Sequence, residues 1–252
     1  MSASVQRERV ARAASQLCLL YGLRHRARRR PDPIDVSRFA ARRAREIFDA
    51  DGCGLLVLDA DRAHLHFAVA SQSTAREDSA SRLAAVRVPV EHSIAGWAVR
   101  HDRPALVDHA VDDPRFYAHV DRQTNMETRA VLCAPLRTGQ GPVGAIEIVN
   151  PASGSLGPSD VRFVEALAAE IGGVYERKRL DDLLGRQLRR FAGLVLLVLG
   201  IVCGAGAVLA HLAWALPLGE LAARPALQAA AVATATGTAL LGLGWRKDRD
   251  GR

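Results

Sequence analysis

The chain has 252 residues and a mass of 27.1 kDa, which is enough for one full globular domain with extra segments and excludes a disulfide-stapled miniprotein. A pI near 9.9, 49% hydrophobic residues and a mean hydropathy of +0.02 describe a basic, otherwise ordinary protein. These averages combine two different parts, because residues 1–190 carry 29 of the 34 basic and 24 of the 27 acidic residues.

Residues 1–34 are predicted to form a basic helical extension. Four apolar residues share one helical stripe suited to packing on a second subunit, namely Val10, Ala14, Leu17 and Tyr21. Residues 1–46 contain 12 arginines against 4 acidic residues. Two interpretations stay open: the arginines contact anionic lipid headgroups, each contributing about 1 kcal/mol near the surface, or they are simply solvated. The longest apolar run here, Leu17–Tyr21, is too short for a signal peptide, so export is not expected.

The cysteines do not suggest a metal site or a disulfide framework. They are scattered without a CxxC pair, at Cys18, Cys53, Cys133 and Cys203. A reducing, cytosolic setting is the simplest inference. His64 and His66 alternate within a strand-like run and so share a face, which fits either a metal ligand pair or a half-exposed strand. We favour the strand face, because no third ligand is indicated nearby.

The middle of the chain predicts an α+β domain with an antiparallel sheet faced by helices. Asp59–Ala63 separates two short apolar runs as a hairpin turn would, and Ser93 is placed to cap a helix. In chain order, the predicted elements are a helix over 38–48, strands over 53–58, 64–70 and 86–90, a helix over 94–100, a strand over 105–107, a short helix opened by Asp113-Pro114, strands over 129–136 and 142–150, and a helix from 158 onward.

Residues 35–180 resemble a GAF domain through several motifs taken together. These are Gly96-Trp97, Pro104 before a strand, Asp113-Pro114-Arg115-Phe116, Thr128-Arg129, Cys133-Ala134-Pro135-Leu136, Gly144 and Asn150. The resemblance implies a six-stranded antiparallel sheet flanked by helices, with a pocket on one face of the sheet. It also implies dimerisation through terminal helices and a sensory or regulatory role rather than an enzymatic one.

The resemblance identifies candidate ligand-binding residues between the second helix and the penultimate strand. They are Trp97, Asp108, Phe116, Tyr117, Thr128 and Arg129. An arginine there could bind a carboxylate or phosphate while the rings cover an apolar body. The alternative is that Trp97 and Phe116 are core residues and that Arg129 pairs with Asp113.

The ligand itself is not identified, and no cofactor is assigned. Cyclic-nucleotide-binding members of the family carry Asn-Lys followed by Phe and Asp-Glu, and this chain keeps only Asn150 and Asp160 of those five. Bilin-binding members use a cysteine, often beside a histidine, whereas Cys133 lies in an apolar strand and is expected to be a core residue. Members that reduce methionine sulfoxide use a cluster of pocket cysteines, which Cys53 and Cys133 do not reproduce.

The C-terminal part predicts a transmembrane helical hairpin. An uncharged run from residue 191 exceeds the roughly 20 residues needed to cross a bilayer, and a second covers 225–245. We assign spans to 191–216 and 225–245, with a juxtamembrane helix over 181–190 continuing the helix of the domain, and a basic tail over 246–252. Ten basic residues flank the pair and one, Arg224, lies between them, which predicts a plasma-membrane location with both termini in the cytoplasm.

The sequence therefore predicts a membrane-anchored cytoplasmic GAF-type module that binds a small molecule, dimerises, or does both, and signals to a separate protein. The alternative is a ligand-free scaffold that dimerises and recruits partners at the membrane. A lipid bilayer, a second copy of the chain, a signalling partner and a small molecule are the expected partners, and nucleic acid is not.

Overall fold

The computed structural model describes residues 3–28, 32–72, 82–152 and 156–214, together with a few positions between 225 and 236. The chain divides into two units, Met1–Lys178 and Arg179–Arg252. The elements of the first unit are, in order, α1 (Ala3–Ala27), α2 (Pro33–Phe48), β1 (Ala50–Leu58), β2 (His64–Gln72), β3 (Arg87–Pro89), α3 (Ile94–His101), β4 (Ala105–Val107), α4 (His119–Thr124), β5 (Val131–Thr138), β6 (Gly141–Pro151) and the start of α5 (Pro158–Trp214).

The six strands form one antiparallel sheet in the order β3-β2-β1-β6-β5-β4. This confirms the α+β class and the six-stranded antiparallel sheet that the resemblance implied. Strands β1, β6 and β5 lie inside the sheet, and most of their side chains are buried on both faces. Because side chains alternate between the two faces of the sheet, each central strand contributes residues to two separate hydrophobic cores.

One face of the sheet is covered by α1, α2 and α5. The buried side chains of this core include Leu55 on β1 and Ile146 and Ile148 on β6, packed against Phe48 and Leu167. The opposite face is covered by α3 and the segment that contains α4, with buried residues such as Leu56, Leu65 and Val99. The candidate site lies on this second face.

Helix α2 begins five residues before its predicted start. The Asp32 side chain accepts a hydrogen bond from the Ile34 amide (2.8 Å), and Pro33 occupies the first turn. An aspartate followed by proline is a common helix start, because the side chain satisfies a free amide and proline lacks one. This signal was available in the sequence.

Helix α1 packs on the domain through a different face from the predicted apolar stripe. Leu19, Leu23 and Ala27 are buried in the core shared with α2 and α5, and Arg24 pairs with Glu170 at 2.6 Å. The predicted stripe instead faces outward, with exposed fractions of 64% at Val10, 68% at Leu17 and 76% at Tyr21. The extension is therefore part of the fold, and its predicted contact with a second subunit stays a prediction.

Asp113-Pro114 does not open a helix, so that prediction was wrong. Asp113 accepts hydrogen bonds from both the amide and the guanidinium of Arg115, at 2.6 to 2.8 Å, which closes a turn. These bonds hold the pKa of the Asp113 carboxyl below its usual value. The helix α4 begins later, at His119.

Asn150 joins β6 to the segment that leads into β5. Its backbone has a positive φ of 51°, a conformation that asparagine tolerates well. Its side-chain oxygen accepts from the amides of Arg129 (2.7 Å) and Ala130 (3.1 Å), and its amide nitrogen donates to Glu127 O and to Asp51. All the polar atoms of this buried side chain thus serve the fold.

Helix α5 is the one helix among the described residues that is long and apolar enough to cross a bilayer. It is helical at every residue from Pro158 to Trp214, which includes the predicted juxtamembrane segment 181–190 and most of the first predicted span. Its apolar side chains beyond residue 190 are largely exposed, among them Phe191, Leu194, Ile201, Val202 and Leu209. Of the second predicted span, 225–245, a few described positions are helical; the rest of it and the tail 246–252 lie outside the described residues.

Candidate ligand cavity

A cavity of about 80 Å³ lies between the sheet and the segments that contain α3 and α4. Its floor is formed by β1, β2, β5 and β6. Its roof is formed by the first residues of α3, the loop before α4, and α4 itself. The lining combines apolar, aromatic and acidic side chains, which is the mixture that small-molecule sites use.

The floor is open because two glycines of β1 face the cavity. A Cβ atom on Gly54 would lie 3.0 Å from the Phe67 ring and 3.6 Å from Cγ of Glu147, and one on Gly52 would lie 3.7 Å from the Met126 methyl group. The alternation of glycines at 52 and 54 leaves one face of the strand bare while Cys53 and Leu55 fill the core on the other. The pattern Gly-Cys-Gly-Leu in β1 therefore accounts for the open floor of the cavity.

The start of α3 is held over the cavity by Ser93. Its hydroxyl accepts from the Gly96 amide (3.0 Å) and donates to the Pro89 carbonyl (2.6 Å), so the predicted cap is confirmed. A Cβ on Gly96 would lie 2.1 Å from the Val90 carbonyl oxygen, so only glycine permits this approach. Ser93, Ile94 and Ala95 line the roof as a result.

Helix α4 is tied to the entrance of β5 by Asp121. One carboxylate oxygen accepts from the Thr128 amide (2.7 Å), and the other accepts from the Thr128 hydroxyl (2.6 Å). Both side chains line the cavity. The pair fixes the loop between α4 and β5, so the roof keeps its position relative to the floor.

Glu147 is the second acidic residue in the cavity wall. It lies in the centre of β6, opposite Gly54 on β1 and Cys133 on β5. Burial, and to a smaller extent the negative charge of Asp121, raise the pKa of the Glu147 carboxyl to about 7. Its charge is therefore sensitive to pH in the neutral range.

Comparisons with known proteins agree with this architecture. A family model described as GAF domain matches residues 32–174, more than half of the chain. The chain belongs to the GAF domain family. Its GAF fold is similar to that of a phosphoenolpyruvate-protein phosphotransferase from Coxiella burnetii (TM-score 0.58, 15% identity, 68% of this chain and 98% of the other) and to a phycocyanobilin-bound GAF domain from a cyanobacterial phytochrome (TM-score 0.54, 16% identity, 66% and 96%).

Relatives of the GAF domain also occur within larger enzymes. A probable 3',5'-cyclic phosphodiesterase of Caenorhabditis elegans is 25% identical over 170 residues, which is 66% of this chain and 23% of the relative. A cGMP-specific 3',5'-cyclic phosphodiesterase of Drosophila melanogaster is 29% identical over 89 residues, 34% of this chain and 8% of the relative. The chain thus spans less than a quarter of the length of these relatives.

The GAF cavity brings together three of the six candidate ligand-binding residues. Phe116, Tyr117 and Thr128 line it, the first two from the loop before α4 and the third from the loop after it. The structure places Trp97, Asp108 and Arg129 outside its lining. Whether any of the six contacts a ligand stays a prediction.

The three candidates outside the cavity have other surroundings. Trp97 stacks on His101 at a ring-centroid distance of 4.6 Å, and the Arg115 guanidinium lies 4.7 Å from its centroid. Asp108 is exposed. The Arg129 side chain is 71% exposed and lies 3.9 Å from Asp51, whereas Asp113 pairs with Arg115. The suggested pair between Arg129 and Asp113 is therefore wrong.

The two buried cysteines serve opposite faces of the sheet. Cys53 belongs to the core under α2 and α5, and Cys133 belongs to the core on the cavity side. Burial, with a smaller contribution from Glu147, raises the pKa of both thiols. A thiol held in its neutral form is a poor nucleophile, which agrees with a packing role. Among the described residues, no group of three or more His, Cys, Asp or Glu side chains could hold a metal ion.

Glu147 and Asp121 are cavity residues that the sequence analysis missed. Glu147 had a recognisable signal, because it is the one charged residue in the apolar run from Val143 to Val149 and shares a strand face with Ala145 and Val149. No feature of the sequence pointed to Asp121 as a cavity residue, since an aspartate in a short surface helix is common.

Proposed function

We propose that this chain is a GAF-type sensory or regulatory module that binds a small molecule in the cavity and signals to a separate protein. The observation that supports it best is the cavity itself, whose wall holds an acidic side chain with a pKa raised to about 7. A regulatory rather than catalytic role is favoured because the Ser93 and Thr128 hydroxyls in the wall are occupied in fixing α3 and α4.

The first experiment asks whether the cavity retains a ligand. We expect native mass spectrometry of the full chain, extracted gently in detergent, to show a bound small molecule that is lost in Ala70→Leu, because the larger side chain fills the cavity that Ala70 lines. Ala68→Leu on the same strand, outside the lining, is the matched control and should retain the ligand. If the natural protein carries no small molecule, or if both variants lose it equally, the ligand-binding proposal fails.

We further propose that the chain is anchored in the plasma membrane with the GAF domain in the cytoplasm. Helix α5 exposes apolar side chains over a length sufficient to cross a bilayer, and soluble proteins rarely expose so continuous an apolar surface. The excess of arginine and lysine on either side of the two predicted spans, with only Arg224 between them, supports a hairpin with both ends inside.

Anchoring is tested by extraction of membranes at alkaline pH. The natural chain should remain in the membrane pellet under alkaline carbonate and dissolve in detergent, because a lipid-embedded helix is held by burial of its apolar surface. A variant with Val198→Lys, Ile201→Lys and Val202→Lys, which disrupts the first span, should be released into the supernatant to a larger extent than the natural chain, since each lysine opposes insertion by about 3 kcal/mol. Release of the natural chain by carbonate would contradict an integral anchor.

The second candidate function is a ligand-free scaffold that dimerises and recruits partners at the membrane. The exposed stripe of Val10, Leu17 and Tyr21 on α1 favours it, since three large apolar side chains on one helix face suit a helix–helix contact. Under this alternative, the natural protein carries no small molecule, and filling the cavity leaves its self-association unchanged.

A further inference from the structure

The cavity wall holds an acidic side chain that has no hydrogen-bond partner among the described residues. Glu147 lines the cavity and is half-buried, and its carboxylate takes part in none of the hydrogen bonds or ion pairs of the described residues. A half-buried carboxylate without a partner lowers stability, because it loses water on one side without gaining a donor in exchange. The side chain is therefore available to a ligand that brings a donor of its own.

The other acidic residue in the described lining already has hydrogen-bond partners. Both oxygens of Asp121 accept hydrogen bonds from Thr128, at 2.7 and 2.6 Å. Its negative charge nonetheless acts on the cavity, as the raised pKa of Glu147 shows. A ligand that enters thus meets one free carboxyl group and the field of a second.

The described lining contains no lysine, arginine or histidine to balance these charges. Arg129, which would have suited an anionic ligand, lies outside the lining with its side chain 71% exposed. An anionic group would be repelled by both carboxyl groups. A cation would be attracted by both, and its transfer from water would be offset by a charge-assisted hydrogen bond to Glu147.

The apolar part of the wall also suits a cation. The aromatic side chains of Phe116 and Tyr117 line the roof, and aromatic faces attract ammonium and amidinium groups. The volume of about 80 Å³ admits a head group of a few heavy atoms rather than a large ring system. The size, charge and lining of the cavity therefore all favour a small cationic head group.

We propose that the cavity selects a small organic cation, an ammonium or amidinium compound, whose N–H groups donate to Glu147 while its apolar part contacts Phe116 and Tyr117. This inference rests on the proposed ligand-binding function and specifies its ligand class. A cationic ligand replaces the carboxylate or phosphate that the sequence analysis expected Arg129 to bind.

Three probes of nearly identical shape test the charge preference: acetamidinium, acetamide and acetate. With the full chain in detergent at about pH 8, ligand-observed NMR titrations should show acetamidinium binding at least about tenfold more tightly than the other two, because only it pairs with an ionised carboxylate. At about pH 5.5, where Glu147 is largely protonated, acetamidinium binding should weaken by about fivefold or more.

The variant Glu147→Gln identifies the residue responsible. It should weaken acetamidinium binding by about tenfold and leave acetamide binding unchanged, because only the charge has been removed. Asp108→Asn, an acidic residue outside the lining, is the matched control and should bind all three probes as the natural protein does.

Each other outcome overturns the inference. Preferential binding of acetate or acetamide, blocked by Ala70→Leu, would show that the cavity binds ligands but not this class, so the proposed function would survive. Acetamidinium binding unaffected by Glu147→Gln would place the cation elsewhere. Failure of all three probes to bind would reject the cation class, while the native mass spectrometry of the natural protein would still decide the proposed function.

Discussion

Replacing Gly172 with alanine is expected to lower the free energy of unfolding of the GAF domain by about 3 kcal/mol. A Cβ atom at this position would lie 2.1 Å from the Arg137 carbonyl oxygen and 3.0 Å from its carbonyl carbon and amide nitrogen. All three are backbone atoms of β5, so no rotamer change relieves the clash. Helix α5 would have to move away from the sheet and loosen the packing of Leu167 and Ile171, which are fully buried. Urea unfolding of the full chain in detergent, followed by far-ultraviolet circular dichroism, measures the change.

The adjacent residue provides a matched control. A Cβ atom on Gly173 would have no atom within 4 Å, so Gly173→Ala meets no obstacle. This variant should gain up to about 1 kcal/mol, because alanine is the better helix former. Equal effects of the two substitutions would show that helix propensity, and not the close approach of α5 to β5, determines the outcome.

Replacing Glu147 with glutamine is expected to raise stability at pH 8 by about 3 kcal/mol and to leave it nearly unchanged at pH 4.5. The folded-state pKa of about 7 lies above the ordinary value of 4.5, so the native state holds the proton more tightly than the unfolded chain. The contribution of Glu147 is therefore most favourable below pH 4.5 and declines as the pH rises to about 7. Among the described residues, the titratable groups that interact with it are Asp121 on α4 and the thiols of Cys53 on β1 and Cys133 on β5, none of which supplies a positive charge. Glutamine removes the decline because it does not titrate.

The test compares urea unfolding of the two proteins at pH 5, 6, 7 and 8. Taking the difference between them cancels the titration of every other group, so the difference should grow with pH and level off above about 7. Glu127→Gln, at an exposed position, is the control and should give a difference that is independent of pH. A constant difference for Glu147→Gln would mean that the carboxyl is not perturbed by its surroundings.

Local patterns in the sequence predicted most of the elements correctly. The Ser93 cap, the hairpin turn at Asp59–Ala63 and the alternating apolar residues of β6 depend on neighbours within a few positions, and all three are present in the structure. The prediction failed at Asp113 because two local patterns compete there. An aspartate before proline can cap a helix, but the arginine two residues later binds both of its oxygens and closes a turn instead.

The cavity could be predicted only in part. Three of the predicted residues line the cavity because they flank α4 closely in sequence, namely Phe116, Tyr117 and Thr128. A prediction that included one of them therefore included the others. Arg129 follows Thr128 directly, and its amide is held by Asn150, yet its side chain points away from the cavity because successive residues of an extended segment face opposite sides. The direction of the Arg129 side chain depends on the pairing of this segment with the end of β6, which brings Arg129 and Asn150, 21 positions apart, together.

The sequence by itself determined the fold class, the resemblance to the GAF family and an apolar run long enough to cross a membrane, because these follow from composition, short-range periodicity and motif spacing. Only the tertiary structure decided which face of α1 is buried, why Gly172 must lack a side chain, and which charges share a cavity. Glu147 and Asp121 are 26 residues apart and lie on different elements. Their juxtaposition arises when the sheet places β6 under α4, and burial there raises the pKa of the Glu147 carboxyl to about 7. The lining that joins these two carboxyl groups with Phe116 and Tyr117 is the observation from which we infer the kind of ligand that the cavity accepts.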